Sequence, residues 1–380
     1  MKIKCNSNDF IKVINQASKI AVKSNVNPIF ECVLLKVEDH NLIIKTTNLE
    51  IMYEKSISVI SEVNGEVYIR ADILNRLVSN LQKNTSMEIE KRNNTLCIKN
   101  DKEDVEIDIF STEDIFPSIP MKNEEILNIK IKDLLNAIKE VSFSSSKSEI
   151  KPEIASVYIY NKEDFIYFVS TDSYRLAEKR IDNNFKVIKD FNLIIPIKNI
   201  QNIIQILGEE NEDEEININN YNDGIIFENN NIFLSSRIIN GNFPDYRQLF
   251  TKNYNLIVEI DKLELIKALN LNSLITTQYN FTKLSFEIDK LKLNITAEEK
   301  SRGNVKSVLD IKIKSESDED LDNKNNIIKI TNYNTGYFLE GLSKIESNKI
   351  LMSFTTENKP VFISNNNNLS FTYLLMPLNR

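Results

Sequence analysis

The chain has 380 residues, 41% of them hydrophobic, which suffices for several modest cores, and a formal net charge of −8, which argues against a protein held to nucleic acid by bulk charge. No apolar run approaches the roughly 18 residues of a membrane span, and the N-terminal MKIKCNSNDF has no secretory apolar region. A soluble, cytoplasmic protein with no membrane partner is expected, in which Cys5, Cys32 and Cys97, an odd and widely spaced set, are reduced thiols rather than a disulfide frame or zinc site.

In chain order, the first element is an amphipathic helix, FIKVINQAS (Phe10 to Ser18), and the same pattern returns as LLNAIKEVS (Leu134 to Ser142) and LIKALNLNS (Leu265 to Ser273). The starts lie 124 and 131 residues apart, so three copies of one domain are expected. Within the first copy CVLLKVE, NLIIKTT, EVYIRA, TLCIKN and VEIDIFS read as strands. In the last, Val105, Ile107 and Ile109 point one way and Glu106 and Asp108 the other. Polar turns at Glu38-Asp39-His40-Asn41 and Asn93-Asn94 make hairpins of them. A second helix per copy follows from the match of IRADILNRLVSNL (Ile69 to Leu81) to IPIKNIQNIIQIL (Ile195 to Leu207). NTGYFLEGLSKI (Asn334 to Ile345) fills that place in the third copy, with Tyr337, Phe338 and Leu342 on its apolar face. TNLEIMYEKSI (Thr47 to Ile57) likewise matches TDSYRLAEKRI (Thr171 to Ile181). Phe116-Pro117 and Phe243-Pro244 stand at equivalent places, and boundaries just beyond them give domains 1–121, 122–250 and 251–380. The class is α+β, each domain setting two helices on one face of antiparallel sheets.

Signals for catalysis and cofactors are missing. Seven glycines supply neither GxGxxG nor a Walker-type loop, and a single histidine, His40 in a turn, leaves no His-based triad or multi-His metal site. The acidic run Glu209 to Glu215 reads as a solvated loop rather than a metal site, because contiguous carboxylates repel one another. Runs such as Asn365 to Asn368 read as loop composition. No cofactor, no metal and no enzymatic activity are expected. Lys12, Lys19, Lys139 and Lys267 on the first helices, with Arg76, Lys198 and Lys344 on the second, lie off the apolar stripes and give an acidic body a mildly basic helical face.

Three motifs in order, STDSYRLA (Ser170 to Ala177), NGNFPDYRQLF (Asn240 to Phe250) and the terminal TYLLMPLNR (Thr372 to Arg380), together with the three-domain period, make the whole chain resemble the bacterial sliding clamp, the beta subunit of DNA polymerase III. That family usually shows T-D-G-H-R-L-A, D-G-x-F-P-D-Y and a V-M-P-M/I-R type of ending. The resemblance implies a head-to-tail homodimeric ring of six domains, helices facing encircled duplex DNA without reading its sequence. It further implies tethering of the replicative polymerase, the clamp loader and other proteins that carry a clamp-binding motif. The alternatives are a repeat-built adaptor that binds peptides without encircling DNA and, more remotely, a hydrolase.

Carried over residue by residue, the resemblance implies a peptide pocket of Ile154, Thr171, Tyr174, Arg175, Leu176, Pro244, Leu249, Tyr337, Pro360, Leu374, Leu375, Met376, Pro377 and Leu378, in which Arg175 contributes to peptide binding. Leu176 and Leu374 read equally well as core. Ser173 stands where the family has Gly, Tyr174 where it has His, Gln248 where a basic residue can occur, and Asn379 before the terminal Arg380. DNA-contacting loops correspond to Val22–Asn27, with Lys23, and to Lys147–Glu153, with Lys147 and Lys151; Pro152 and Glu153 replace aromatic residues there. For the dimer interface, an edge carrying Glu103, Asp104, Val105, Glu106, Ile107 and Asp108 should meet Lys300, Arg302 and Lys306 beside Glu298 and Glu299. That reverses the family's usual polarity, and Leu274 and Ile275 form the apolar centre.

Overall fold

The computed structural model describes residues 1–24, 27–112, 114–182, 186–250, 254–276, 281–316, 331–355, 359–365 and 370–378. Among them are the six expected α-helices, α1 (Ser7–Ser18), α2 (Ala71–Val78), α3 (Ile131–Val141), α4 (Ile197–Leu207), α5 (Lys262–Ile275) and α6 (Thr335–Ser343). Side-chain caps set several of their starts. Asn6 accepts the Asn8 amide at 2.8 Å, Asp261 the amides of Leu263 and Glu264 at 2.9 and 3.0 Å, and Asn334 that of Tyr337 at 3.0 Å, satisfying donors the first turn leaves without partners. The apolar stripe then drives packing. Phe10, Val13, Ile14 and Ala17 of α1 are buried, as are Leu265, Ala268 and Leu269 of α5, each large side chain contributing roughly 1.5 to 3 kcal/mol. In α6, Phe338 and Leu342 are buried but Tyr337 is only half so. Leu274 and Ile275 stand inside the last turn of α5 rather than beyond it.

The predicted strands form at Cys32–Glu38, Asn41–Thr47, Gly65–Arg70, Thr95–Lys99 and Asp104–Asp108. Two-residue turns join Glu38 to Asn41 and Arg92 to Thr95, with Asp39 at φ 54° and Asn93 at φ 51° supplying the left-handed backbone such turns need, and His40 exposed beside them. Every described ladder is antiparallel. Asn365, read from the sequence as loop, ends the strand Val361–Asn365; Asn366 to Asn368 lie outside the described residues, as do Asn25 and Val26 of the first DNA loop, Asn379 and Arg380.

Sheet order shows how the repeats are joined. One nine-stranded sheet takes five strands from the middle repeat and four from the first; they meet where Ile232–Arg237 pairs with Ile51–Ser58. Another takes four from the middle repeat and five from the third, meeting where Phe371–Leu375 pairs with Arg175–Asp182. What is left is a five-stranded sheet in the first repeat, ending in the edge strand Asp104–Asp108, and a four-stranded sheet in the third, ending in the edge strand Gly303–Asp310. Because ladders run through each junction, contact density does not follow the repeats. One compact unit comprises 1–135, 184–191 and 198–240 and the other 136–183, 192–197 and 241–380, so the middle repeat is shared between them.

The acidic run is not uniformly solvated. Glu210 turns inward within the first unit, where its Oε1 accepts from Lys55 Nζ at 2.5 Å and Gln16 Nε2 at 2.6 Å and lies 3.3 Å from Lys12 Nζ; Tyr53 in turn donates to Gln16 Oε1 at 2.8 Å. Burial pushes the Glu210 carboxyl up, but the hydrogen bonds from Lys55 and Gln16 outweigh it and hold the carboxyl below its usual range. Repulsion among neighbours, the reason for expecting solvent, is overcome for this residue by three donors. Cys5, Cys32 and Cys97 are buried free thiols, and burial pushes the first two up to about 12.

Candidate functional site

In the second unit the turn Thr171-Asp172-Ser173-Tyr174 leads into the strand Arg175–Asp182 beside the last described strand, Phe371–Leu375. Arg175 faces Leu375 and Leu176 faces Leu374 in that ladder. Two backbone bonds steer the chain beyond it, Met376 N–H to Tyr174 O at 2.9 Å and Leu378 N–H to Asn332 O at 2.8 Å. Leu176 and Leu374 are buried with Val169, Tyr246 and Phe362, and Met376 packs on this cluster. The predicted pocket residues therefore separate into a floor and a rim. Ile154, Thr171, Arg175, Leu176, Pro360, Leu374 and Leu375 are buried; Tyr337, Met376, Pro377 and Leu378 are half-buried; Pro244 is exposed, with Tyr174 61% and Leu249 40% exposed. Gly341 brings α6 close, since an added Cβ would lie 2.3 Å from the Tyr373 ring, whose hydroxyl donates to Tyr337 O at 2.9 Å.

Arg175 ties the turn to its surroundings. It is 4% exposed, and each of its three nitrogens donates a hydrogen bond: Nε to Asp172 at 2.9 Å, Nη1 to Glu340 at 2.5 Å and Nη2 to Phe143 O at 3.0 Å, while the Tyr337 ring lies 4.0 Å away. The sequence pattern did not reveal its partners, which come from the turn itself, from α6 and from the segment just after α3.

Ser173 has φ 76°, the left-handed region. Holding a residue with a Cβ there costs roughly 1 to 2 kcal/mol, while glycine's extra freedom in the unfolded chain offsets about 0.4 to 1 kcal/mol. Ser173→Gly is therefore expected to raise stability by about 0.5 to 1 kcal/mol, read as a higher denaturant midpoint at unchanged slope; a lower midpoint would show that the serine makes a contact worth more than the strain.

The first repeat builds the same turn. Thr47 Oγ1 donates to Ile51 O at 2.9 Å and Asn48 Oδ1 accepts from Glu50 and Ile51, as Thr171 Oγ1 donates to Arg175 O at 2.6 Å and Asp172 Oδ1 accepts from Tyr174 and Arg175. Leu49, at φ 72°, takes the place of Ser173. The two surroundings differ in chemistry. Where the second unit offers Tyr174, the first has Glu50, with Arg237 Nη1 3.9 Å from its carboxylate. An apolar rim is thus present at one copy of the turn and replaced by an ion pair at the other.

Three family models cover the chain in succession: DNA polymerase III beta subunit, N-terminal domain (residues 1–120), central domain (128–245) and C-terminal domain (247–379). The chain belongs to the family of the DNA polymerase III beta subunit, the sliding clamp. Among its relatives, the beta sliding clamp of Synechococcus elongatus is 22% identical over 100% of this chain and 99% of its own, and that of Staphylococcus aureus 25% identical over 97% of each. In fold it is similar to the crystal structures of the Bacillus subtilis clamp (TM-score 0.89, 21% identity) and the Thermotoga maritima beta subunit (TM-score 0.90, 18% identity), covering 100% of this chain and 99% of each of theirs.

The cations expected to face DNA, seven from the helical charge pattern and three from the resemblance, differ in their surroundings. Lys139, Lys198, Lys267, Lys23, Lys147 and Lys151 are exposed. Of the remainder, Lys12 lies beside Glu210, Lys19 donates to Gln205 O at 3.2 Å and pairs with Glu209, Arg76 pairs with Asp72 at 2.9 Å, and Lys344 Nζ lies 5.7 Å from the Phe143 ring centre. Lys19 and Gln16 thus sit at the C-terminal end of α4, where unpaired carbonyls and the helix dipole favour donors and positive charge. Of the residues expected at a dimer interface, Glu106 and Asp108 are exposed on the edge strand, with Val105 half-buried and Ile107 buried. Lys300 and Arg302 are exposed in the turn before the other edge, so the cation on that strand itself is Lys306.

Proposed function

We propose that this protein is the sliding clamp of its replication machinery. Two copies close head to tail into a ring around duplex DNA, which tethers the polymerase, the clamp loader and other proteins that dock an apolar peptide at the rim built by Tyr174, Leu249 and Met376. It works in the cytoplasm without turning over a substrate, and its domains are 1–121, 122–250 and 251–380. The observation that carries the reading is the sheet count. Among the described residues, each junction within the chain fuses a five-stranded half with a four-stranded half, and one half of each kind is left unjoined, each presenting an edge strand. Joining them between two copies repeats the same junction and closes the assembly, as a head-to-tail interface must to avoid a filament.

The in-chain junctions also suggest the register. Four residues before the ends of Ile51–Ser58 and Arg175–Asp182 stand Glu54 and Glu178, facing Phe233 and Thr372; Lys306 holds that place in Gly303–Asp310. The adjoining inward pairs, Tyr53 with Leu234 and Ala177 with Tyr373, correspond to Val305 with Ile107, which sets Glu106 opposite Lys306. A ring holds DNA by topology, so a few phosphate-facing lysines suffice and bases need not be read. Loaded protein is expected to persist on nicked circular DNA and to run off linear DNA, and Lys139→Glu with Lys267→Glu to shorten residence on circles without lowering the melting temperature. Equal retention on circles and linear molecules would overturn the encircling ring and favour an adaptor that merely binds peptides.

A further inference from the structure

Arg247 lies on the segment that carries Pro244 and Leu249, and its guanidinium reaches a set of polar groups on the sheet beside the apolar cluster of Leu176, Tyr246 and Leu374. Its Nε and Nη2 donate to Tyr160 Oη at 3.0 and 2.5 Å, Nη1 donates to Glu178 Oε1 at 3.4 Å, Nη2 lies 3.2 Å from Glu178 Oε2, and the guanidinium lies 4.4 Å from the Tyr167 ring centre. Tyr246 donates to Glu178 Oε2 at 2.5 Å and shares a hydrogen bond of 2.7 Å with Tyr160. Tyr160, Tyr167 and Glu178 belong to Ser156–Lys162, Phe165–Thr171 and Arg175–Asp182, three adjacent strands of one sheet. One guanidinium therefore spans three strands, and Phe243, stacked on Tyr158 at 4.8 Å, fastens the segment's other end. Burial pushes the Glu178 carboxyl up while Tyr246 and Arg247 draw it down, so removing the arginine would leave a buried acid short of a partner. Lysine could not replace the planar fork that reaches Tyr160 and Glu178 together.

We infer that Arg247 is a positioning residue for peptide capture: without lining the pocket, it holds Pro244 and Leu249 at the rim. The inference rests on the pocket assignment above. The test uses the full dimer, an isolated peptide with two apolar anchor residues as probe, and three variants, Arg247→Ala, Arg247→Lys and the rim control Met376→Ala/Leu249→Ala. Arg247→Ala is expected to weaken the peptide at least tenfold and Arg247→Lys to recover only part of that loss. Hydrogen exchange separates positioning from general destabilisation. The Tyr246 and Phe250 amides, bonded to Pro244 O at 2.8 Å and Arg247 O at 3.1 Å, should exchange faster in Arg247→Ala, while those of Arg175–Asp182 and Phe371–Leu375 stay protected. Peptide affinity within twofold of the unmodified protein, or faster exchange throughout those strands, overturns the inference. If the rim control also binds normally, the pocket assignment itself fails; if the control loses binding while Arg247→Ala keeps it, only the role of Arg247 does.

Discussion

Leu271→Asp with Leu274→Asp is expected to convert the dimer to monomer at concentrations where the unmodified protein is fully paired. These leucines are 51% and 69% exposed on α5, an unusual use of surface for two large apolar side chains on one helix face. By the repeat they hold the places of Gln16 and Lys19 on α1, the residues that seat α1 on the end of α4 at the in-chain junction. At the proposed junction between copies the same positions are apolar, and by analogy they are expected to meet the end of α2. Burying each leucine contributes roughly 1.5 to 3 kcal/mol, so losing both should raise the dimer dissociation constant by about two to four orders of magnitude. Sedimentation at several concentrations reads this directly, and because both side chains are exposed the monomer's own melting should not suffer. An unshifted dimer would remove α5 from the interface. Charge should act more gently. Glu106→Lys is expected to weaken the dimer and Lys306→Glu to restore much of the loss, within the 0 to about 1 kcal/mol of an exposed pair, an effect largest at low salt.

Periodicity made the helices legible because an apolar stripe with Lys opposite has one stable placement, against a sheet. The hairpin turns were legible for an equally local reason, the need for left-handed backbone at Asp39 and Asn93. Pairing between distant strands was not. Nothing in IFLSSR announces that Ile232 faces Lys55, since a ladder's register depends on neighbours far away in the chain. Family motifs pointed to Arg175 and Leu176, but composition could not foretell the guanidinium's partners, because Asp172, Glu340 and Phe143 O come together only in the fold. Glu210 was hidden inside an acidic run whose other members are exposed. Its one signal, found only in hindsight, is that Lys55 and Gln16 offer donors from buried positions.

Met376→Ala with Leu249→Ala is expected to abolish measurable binding of an isolated partner peptide while leaving dimerisation unchanged. Two apolar anchors contribute roughly 1.5 to 3 kcal/mol each, and micromolar affinity requires about 8 kcal/mol, so isolated peptides start from a weak complex that cannot lose much. Arg175 is buried and each of its nitrogens already donates within the chain, so most of the difference is expected from peptide backbone hydrogen bonds and the exposed Tyr174 ring. Choice of positions decides whether the result can be read. Leu176 is fully enclosed, and its truncation would open a cavity costing about 2 to 5 kcal/mol, so lost binding there would be indistinguishable from a loosened core. Met376 is half-buried and Leu249 exposed at the rim, where truncation removes contact surface without a comparable cavity. Titration of a labelled peptide, with sedimentation alongside, measures both properties on one sample; unaltered affinity in the double variant would remove these residues from the docking site.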